Sequence, residues 1–218
     1  MSNCAYNHWT GWTQYALNEW SINSDKKAPF KNERCLDYIV KYIPSYVDSV
    51  YQFGCASGRD FLPFEGRMKL YGFDIFPSDK IRWIKNFDGL TYHPCCIEDF
   101  KSFVDEHLEF KDMSKSLVYT QGTLMYVKAQ QQNDFFQFCR YLGCKNFIFN
   151  EYTEQEFRAH VKKPTLKNNG LYAQFDRPDE FIVRDYRESW VDHPHPFAHI
   201  MLDVDDATKK LIIDESVQ

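Results

Sequence analysis

Short apolar runs alternate with segments of helical periodicity through the middle of the chain. The apolar runs predict strands, and the segments between them, with apolar residues three or four positions apart, predict helices. The predicted strands cover residues 47–53, 68–73, 90–95, 116–120 and 146–150, and the predicted helices cover residues 59–65, 78–86, 99–108 and 129–142. Strands that alternate with helices indicate an α/β fold, with a mostly parallel sheet covered by helices on both faces.

Outside this alternation the pattern changes twice. Before it, apolar residues at helical spacing over 36–43, closed by Pro44, predict a helix that leads into the sheet. After the fifth predicted strand, a polar helix over 154–161 precedes two candidate strands over 180–186 and 198–204. These two strands can pair antiparallel, as a C-terminal hairpin.

Length and composition are those of one folded domain. The chain has 218 residues, of which 44% are hydrophobic and 17% aromatic, enough for a full hydrophobic core. We expect three regions within that domain: a helical lid or cap over 1–45, a ligand-binding core over 46–151, and C-terminal strands with a substrate-side loop over 152–218.

Charge and cysteine usage narrow the classes of partner. A formal net charge of -5 disfavours extensive contact with phosphate backbones and favours a small-molecule partner. No apolar run approaches the roughly 18 residues that span a bilayer, and the start lacks signal-peptide regions, so we expect a cytoplasmic protein. The seven cysteines form no Cys-x-x-Cys pair and are predicted to be reduced core thiols, with no metal site.

The strongest local motif is the turn Gly54-Cys55-Ala56-Ser57-Gly58, which follows an apolar strand and precedes a helix. Small residues let the backbone turn sharply and approach a ligand, while N–H groups at the start of the next helix favour a negative group. An ordinary tight connection between strand and helix is the alternative interpretation.

A carboxylate at the end of the next strand agrees with a ligand site. Asp74 closes the run Leu70 to Asp74, sixteen positions after Gly58. In nucleotide-binding sheets a carboxylate at about this distance, at the tip of the adjacent strand, accepts hydrogen bonds from ribose hydroxyls. The competing interpretation of Asp74 is a helix N-cap before Pro77.

Together these motifs resemble those of the class I S-adenosylmethionine-dependent methyltransferases, over roughly residues 33–151. The first motif of that family usually reads acidic-x-Gly-x-Gly-x-Gly, and its second strand ends in an acidic residue. The resemblance implies a Rossmann-like sheet, with the turn at the methionine end of the cofactor, Asp74 at its ribose and the exit of the third strand at its adenine. The implied cofactor-binding residues are Gln52, Gly54, Cys55, Ala56, Gly58, Asp74, Ile75, Cys96, Ile97, Asp99 and Thr120.

Two positions depart from the family pattern. Gln52 stands where the family usually has an acidic residue, and Ala56 replaces the middle glycine. Glutamine can form hydrogen bonds but cannot neutralise the methionine ammonium. This difference motivates one alternative function, a relative that binds S-adenosylmethionine for regulation or cleaves it.

The resemblance also implies the chemistry. S-adenosylmethionine carries an activated methyl group, so the enzyme mainly aligns the acceptor, helped by a base if the acceptor is a hydroxyl or a protonated amine. The candidate bases are His193, His195 and Glu151. The histidines are alternatively surface or packing residues, and Glu151 is alternatively a cap of the helix that follows it.

The acceptor of the methyl group is expected to be a small molecule methylated at oxygen or nitrogen. The fourth strand's exit, with Gln121, resembles the family segment that faces the substrate, and Tyr126 follows it as pocket wall or core. The amino-terminal aromatic residues are predicted either to form a lid over the acceptor or to pack against the first helix; they are Trp9, Trp12, Tyr15 and Trp20.

Two further functional classes are disfavoured by sequence. The acidic-or-Asn, Pro-Pro-aromatic signature of base methyltransferases is missing after the fourth strand, where Thr120-Gln121-Gly122-Thr123 stands instead. A nicotinamide-dependent oxidoreductase remains the enzymatic alternative, but the turn lacks the third glycine of Gly-x-Gly-x-x-Gly.

Overall fold

A computed structural model describes residues 39–56, 58–76, 89–124, 127–151, 181–184 and 197–214. These residues form one seven-stranded sheet in the order β3-β2-β1-β4-β5-β7-β6. The strands are β1 (Ser49–Phe53), β2 (Lys69–Asp74), β3 (Leu90–Pro94), β4 (Ser116–Gln121), β5 (Asn146–Glu151), β6 (Ile182–Arg184) and β7 (Phe197–Met201).

The direction of the strands confirms the predicted fold. Strands β1 to β5 run parallel, and β7 pairs antiparallel with both β5 and β6. The five parallel strands begin and end within two residues of their predicted bounds. Parallel neighbours bring their carboxyl ends to one edge of the sheet, so the segments that leave β1 to β5 meet there.

The helices match the predicted periodicity less closely. Helix α1 spans Phe100–Glu106 between the 3-10 turns Ile97–Asp99 and Leu108–Phe110, and α2 spans Ala129–Tyr141. The segment Arg59–Phe64, which contains Pro63, is a 3-10 helix. A third α-helix, α3 (Asp206–Asp214), was not predicted. Of the helix predicted over 36–43, residues 39 and 40 are helical and the chain turns from residue 41; the helices predicted over 78–86 and 154–161 lie outside the described residues.

Two hydrophobic layers sandwich the sheet. On one face, α1 and α2 pack aromatic rings on β1 and β2; Phe53 lies between Phe73 at 4.7 Å, Phe100 at 4.8 Å and Phe135 at 4.6 Å, measured between ring centroids. On the other face, Phe61 of the 3-10 helix joins a second buried cluster with apolar side chains of the same strands. Every residue of β1 and β5 is buried, as expected for central strands covered on both faces.

A polar network lies at the other end of the strands, where β5 begins. Buried Asn146 donates to the Tyr46 hydroxyl at 3.1 Å and accepts from the Asp203 backbone N–H at 3.0 Å. Tyr46 in turn donates to the Asp203 carboxylate at 2.9 Å. These contacts fasten the chain after β7 to β5. Within the described part of the chain, no helix has the length and apolar character needed to cross a bilayer.

Candidate functional site

The turn after β1 is built on left-handed backbone. Gly54 has a φ of 71°, Gly58 a φ of 78° and Ala56, between them, a φ of 44°. Glycine adopts this conformation without steric cost, whereas alanine does so at a cost of about 1 kcal/mol. The backbone conformation at positions 54 and 58 therefore favours glycine, and Ala56 adopts the same region at some cost.

The backbone amides of this turn are engaged within the protein. Gly54 and Cys55 both donate to the Phe73 carbonyl, at 2.8 and 3.2 Å, and Gly58 donates to the Cys55 carbonyl at 2.7 Å. The Ala56 N–H donates to Oδ2 of Asp74 at 2.7 Å. N–H groups at the start of the following helix were predicted to favour a negative group, but these four amides of the turn donate to the end of β2 and to the turn itself.

Asp74 is the point at which the two motifs meet. Its side chain is 7% exposed, and its second oxygen, Oδ1, accepts from the Ile75 N–H at 2.7 Å. Burial raises the pKa of Asp74 to about 6, while the backbone N–H donors act in the opposite direction. The Tyr92 hydroxyl donates to the backbone carbonyls of Asp74 and Phe76 and so holds the strand end from the β3 side.

Gln52 lies one residue before the end of β1 and is fully buried. Its Nε2 donates to Oδ2 of Asp60 at 3.0 Å. No donor in the described part of the chain reaches its Oε1. A buried carbonyl oxygen without a donor is destabilising, so the Gln52 Oε1 atom needs a further hydrogen-bond partner.

Cys55 is part of the turn only through its backbone. Its thiol is buried, and a Cβ placed on Gly72 would lie 2.9 Å from its Sγ. Burial raises the pKa of the thiol well above its usual value, with smaller contributions from the charges of Asp74 and Asp60. The side chain is a packing element between β2 and the turn.

The segment after β4 is organised by Glu151. This carboxylate, fully buried at the end of β5, accepts from the Thr120 hydroxyl at 2.7 Å. It also accepts from the backbone N–H groups of Thr123 and Leu124, both at 3.1 Å. Farther along, buried Gln132 of α2 donates to the carbonyls of Leu124 and Val127 at 2.8 and 2.9 Å. The side chains of Glu151 and Gln132 thus hold the described residues that follow β4 and precede α2.

Thr123 brings this segment against the turn. A Cβ built on Gly54 would lie 2.0 Å from the Thr123 hydroxyl oxygen, so only glycine fits there. The same hydroxyl donates to the Gln121 carbonyl at 3.1 Å. Gln121 itself is half-buried, and its Oε1 accepts from the Tyr119 hydroxyl. The turn after β1 and the exit of β4 consequently form one continuous surface.

The exit of β3 supplies mainly apolar walls. Cys96 and Ile97 are buried, and Asp99 is half-buried, with its backbone N–H on the Cys96 carbonyl at 3.2 Å. Ile75, at the end of β2, is also half-buried. These side chains lie at the same edge of the sheet as Asp74.

The structure thus gathers most of the predicted cofactor residues at the carboxyl edge of β1 to β4. The remaining predicted site residues lie outside the described residues: His193, His195, Tyr126, Trp9, Trp12 and Tyr15. Within the described ranges, no three His, Cys, Asp or Glu side chains are grouped so as to hold a metal ion.

Three residues that form these contacts were not among the predicted site residues, although Thr123 belongs to the predicted exit segment of the fourth strand: Asp60, Thr123 and Gln132. Asp60 stands in the first turn of the helix after the glycine motif, and its acidic side chain at that position was the available sequence signal. Thr123 and Gln132 act through contacts with residues of other elements, which no local pattern reveals.

Comparison with known proteins identifies the fold. No family model matches the chain, and no curated protein matches its sequence. Solved structures do match: an S-adenosylmethionine-dependent methyltransferase from Anabaena variabilis superposes with a TM-score of 0.60 at 14% identity, covering 93% of this chain and 96% of that one.

Two further matches carry ligands or named substrates. The 1,6-didemethyltoxoflavin-N1-methyltransferase of Burkholderia thailandensis, with 1,6-didemethyltoxoflavin and S-adenosylhomocysteine bound, has a TM-score of 0.56 at 11% identity and covers 93% of this chain and 92% of that one. The magnesium protoporphyrin IX methyltransferase of Synechocystis, with S-adenosylhomocysteine bound, has a TM-score of 0.55 at 12% identity, covering 91% and 98%. The chain therefore has the Rossmann-like fold of the S-adenosylmethionine-dependent methyltransferases.

Proposed function

We propose that this protein binds S-adenosylmethionine and transfers its methyl group to an oxygen or nitrogen atom of a small molecule. One observation carries the proposal: the Asp74 carboxylate, at the tip of β2, is hydrogen-bonded to the Ala56 amide of the turn after β1. In the methyltransferase fold, this hydrogen bond joins Asp74, the proposed acceptor for the ribose hydroxyls, to the turn proposed to hold the methionine end of the cofactor.

The side chains at this edge fit the parts of the cofactor. Asp74 presents a carboxylate for ribose hydroxyls. Its two oxygens offer about four lone-pair sites, so acceptor capacity remains beyond the backbone N–H groups of Ala56, Ile75 and Phe76. Ile75, Cys96 and Ile97 supply apolar walls for adenine, with Asp99 near the exit of β3 for its amine. The orphaned Oε1 of Gln52 is an acceptor for a donor that a ligand brings.

The hydrogen bonding of the turn favours this cofactor over a dinucleotide. A pyrophosphate is held by backbone N–H groups that are open to it. Here the N–H groups of Gly54, Cys55, Ala56 and Gly58 are not open, since each donates within the protein. A cofactor whose amino-acid end carries an ammonium group and whose ribose hydroxyls donate hydrogen bonds suits the carboxylates and carbonyls that remain.

When bound, S-adenosylmethionine supplies an already activated methyl group, so the chain's own task is to position the acceptor and exclude water. Thr120, Gln121 and Thr123 form the floor next to the turn, and Glu151 holds that floor in place. We therefore assign Glu151 a positioning role, because its carboxylate is fully buried and satisfies the Thr120 hydroxyl and two backbone amides. His193 and His195 remain the proposed bases.

The acceptor side is proposed from the sequence and from the nature of the matched proteins. Two of those act, by name, on 1,6-didemethyltoxoflavin and on magnesium protoporphyrin IX, which are small molecules. Gln121 and Tyr126, with Trp9, Trp12 and Tyr15 of the proposed lid over 1–45, would line the acceptor pocket. The net charge of -5 favours such an acceptor over a nucleic acid.

Calorimetric titration tests the cofactor assignment. The protein is titrated in parallel with S-adenosylmethionine, S-adenosylhomocysteine and NAD. We expect both adenosyl ligands to bind and NAD not to bind; failure of both adenosyl ligands at millimolar concentration would refute the proposal, and NAD binding alone would support the oxidoreductase alternative.

Transfer of a labelled methyl group tests the reaction itself. Labelled S-adenosylmethionine is incubated with the protein and a panel of small-molecule hydroxyl and amine acceptors, and labelled product is measured. Binding of the cofactor without transfer to any member, but with release of labelled cleavage products, would favour the cleaving relative over the methyltransferase.

A further inference from the structure

We propose that Asp60 supplies the negative charge for the ammonium group of S-adenosylmethionine, and that Gln52 is the positioning residue that holds the Asp60 carboxylate beside the turn. The inference rests on the proposed function, because it assigns a subsite within that cofactor site. Under this proposal the acidic group lies not at the strand position occupied by Gln52, where the family usually has it, but in the 3-10 helix that follows the turn.

The hydrogen bond between Gln52 and Asp60 is the first observation. Nε2 of Gln52 lies 3.0 Å from Oδ2 of Asp60. A carboxylate only accepts hydrogen bonds, so the nitrogen of the Gln52 amide must face Asp60 and its oxygen must point elsewhere. The orientation of the amide is thereby fixed by chemistry.

The Gln52 side-chain oxygen, Oε1, which points away from Asp60 in this orientation, is the second observation. Gln52 is fully buried, and its Oε1 has no donor in the described part of the chain. An unpaired buried acceptor is destabilising unless a ligand or a water brings a donor. A primary ammonium group is three donors and no acceptor, so it can serve the Gln52 oxygen and a carboxylate together.

The position of Asp60 is the third observation. It lies in the first turn of the 3-10 helix Arg59–Phe64, directly after the left-handed Gly58, and is half-buried. Its charge also contributes to the raised pKa of the Cys55 thiol inside the turn. Asp60 thus places a negative charge at the turn while Gln52, its neutral partner, occupies the end of β1.

This arrangement explains how Gln52 is compatible with cofactor binding. An acidic residue at position 52 would put a second carboxylate, fully buried, against the half-buried Asp60, where like charges repel strongly. Glutamine instead donates to Asp60 and leaves one negative charge in the pair. The charge for the ammonium is kept, in a different residue.

A pair of ligands separates this subsite from the rest of the cofactor site. S-adenosylhomocysteine carries the ammonium, whereas 5′-methylthioadenosine has the same adenosine but no amino-acid end. We expect Asp60→Asn to weaken S-adenosylhomocysteine binding by roughly 10- to 100-fold, the range of a lost hydrogen bond to a charged group, and to leave 5′-methylthioadenosine within about twofold. Asp105→Asn, on the exposed surface of α1, removes the same charge elsewhere and should change neither affinity.

A charge exchange provides the second variant. In Gln52→Glu with Asp60→Asn, the carboxylate moves to position 52 and the new amide can donate to it. We expect this double variant to recover S-adenosylhomocysteine affinity to within about threefold of the wild type, while Gln52→Glu alone binds it more weakly than the double variant. Thermal unfolding of each variant verifies that it is folded.

The outcomes distinguish the inference from the proposed function. If the wild type binds both ligands and Asp60→Asn alters neither affinity, or weakens both equally, the ammonium assignment is overturned while cofactor binding stands. If the wild type binds neither ligand, the proposed function fails and the inference fails with it. Selective loss of S-adenosylhomocysteine binding, restored by the charge exchange, supports the inference.

Discussion

Gly54 and Thr123 are fitted to each other so closely that a methyl group on Gly54 would meet the Thr123 hydroxyl oxygen at 2.0 Å. Gly54 also has a φ of 71°. Gly54→Ala therefore combines a steric overlap with a strained backbone, and we expect it to lower the free energy of unfolding by about 3 kcal/mol or more. Chemical denaturation measures the change.

The chain offers a matched control for this prediction. Gly66 has nearly the same φ, 72°, but a Cβ there meets nothing within 4 Å. Gly66→Ala should cost only the backbone strain, about 1 kcal/mol. Thr123→Gly removes the side chain that overlaps with the new methyl group. We therefore expect Gly54→Ala to lower the free energy of unfolding less in a Thr123→Gly background than in the wild type. Equal losses of unfolding free energy for Gly54→Ala and Gly66→Ala would contradict the overlap.

Ala56 gives a prediction of opposite sign. Its φ of 44° is left-handed, where glycine is relaxed and alanine is strained. Ala56→Gly relieves that strain but makes the unfolded chain more flexible, so we expect a net stabilisation of about 0.5 kcal/mol, and no loss of S-adenosylhomocysteine affinity. Denaturation and calorimetry measure the two quantities. A destabilised variant would show that the methyl group of Ala56 makes a packing contact of greater value than the strain.

Glu151 predicts a large loss from a single truncation. Glu151→Ala leaves the Thr120 hydroxyl and the amides of Thr123 and Leu124 without their acceptor in a buried site, so we expect a loss of roughly 3 to 5 kcal/mol in unfolding free energy. Thr120→Val removes one donor and keeps the shape, and should cost about 1 kcal/mol. Equal losses for the two variants, in denaturation experiments, would mean that the amide contacts contribute little.

Asp74 predicts a pH dependence of stability. Burial raises its pKa from 3.8 to about 6, so the folded protein holds this proton more tightly than the unfolded chain does. Its contribution to stability is then complete below about pH 4 and is lost as the pH rises through about 6, with a total on the order of 3 kcal/mol. Asp74→Asn removes this titration, so the stability of the wild type relative to the variant should fall from pH 4 to pH 7.

Cofactor binding should respond to the same titration in the opposite direction. The ionised carboxylate is the better acceptor for ribose hydroxyls, so the affinity for S-adenosylhomocysteine should rise as the pH increases through about 6. Asp74→Asn should flatten this rise and weaken both S-adenosylhomocysteine and 5′-methylthioadenosine, because both ligands contain the ribose. An unchanged affinity in the variant would show that Asp74 serves the turn alone.

The strands were predictable because burial on both faces leaves a nearly continuous apolar run. The apolar runs that end at Phe53 and at Asp74 were predicted as strands for this reason. The number of residues between the ends of these two strands predicted that Asp74 lies near the turn. Helix α3 was not predicted because its sequence is mostly polar, and Ile212 is its fully buried residue. Its start did carry a signal: the Asp205 carboxylate accepts from the Thr208 N–H at 2.7 Å, an N-terminal capping contact.

The polar contacts of the site were less predictable. Glu151 and Thr120 are 31 positions apart, and their hydrogen bond exists because β4 and β5 end side by side. The Gln52–Asp60 contact spans eight positions, but it depends on the sharp turn between them and on a 3-10 rather than an α-helical start. Such contacts follow from the fold and from side-chain conformation, which hydrophobic periodicity does not encode.

The place of β7 in the sheet has a consequence for synthesis on the ribosome. Because β7 lies between β5 and β6, the segment of β6 emerges before the strand that it pairs with has been made. Until residues 197–201 emerge, β5 also keeps one open edge, although all of its residues are buried in the finished protein. If translation pauses just before β7, the nascent chain exposes the unpaired backbone N–H and C=O groups of the β5 edge. We expect such chains to be prone to aggregation or to chaperone binding.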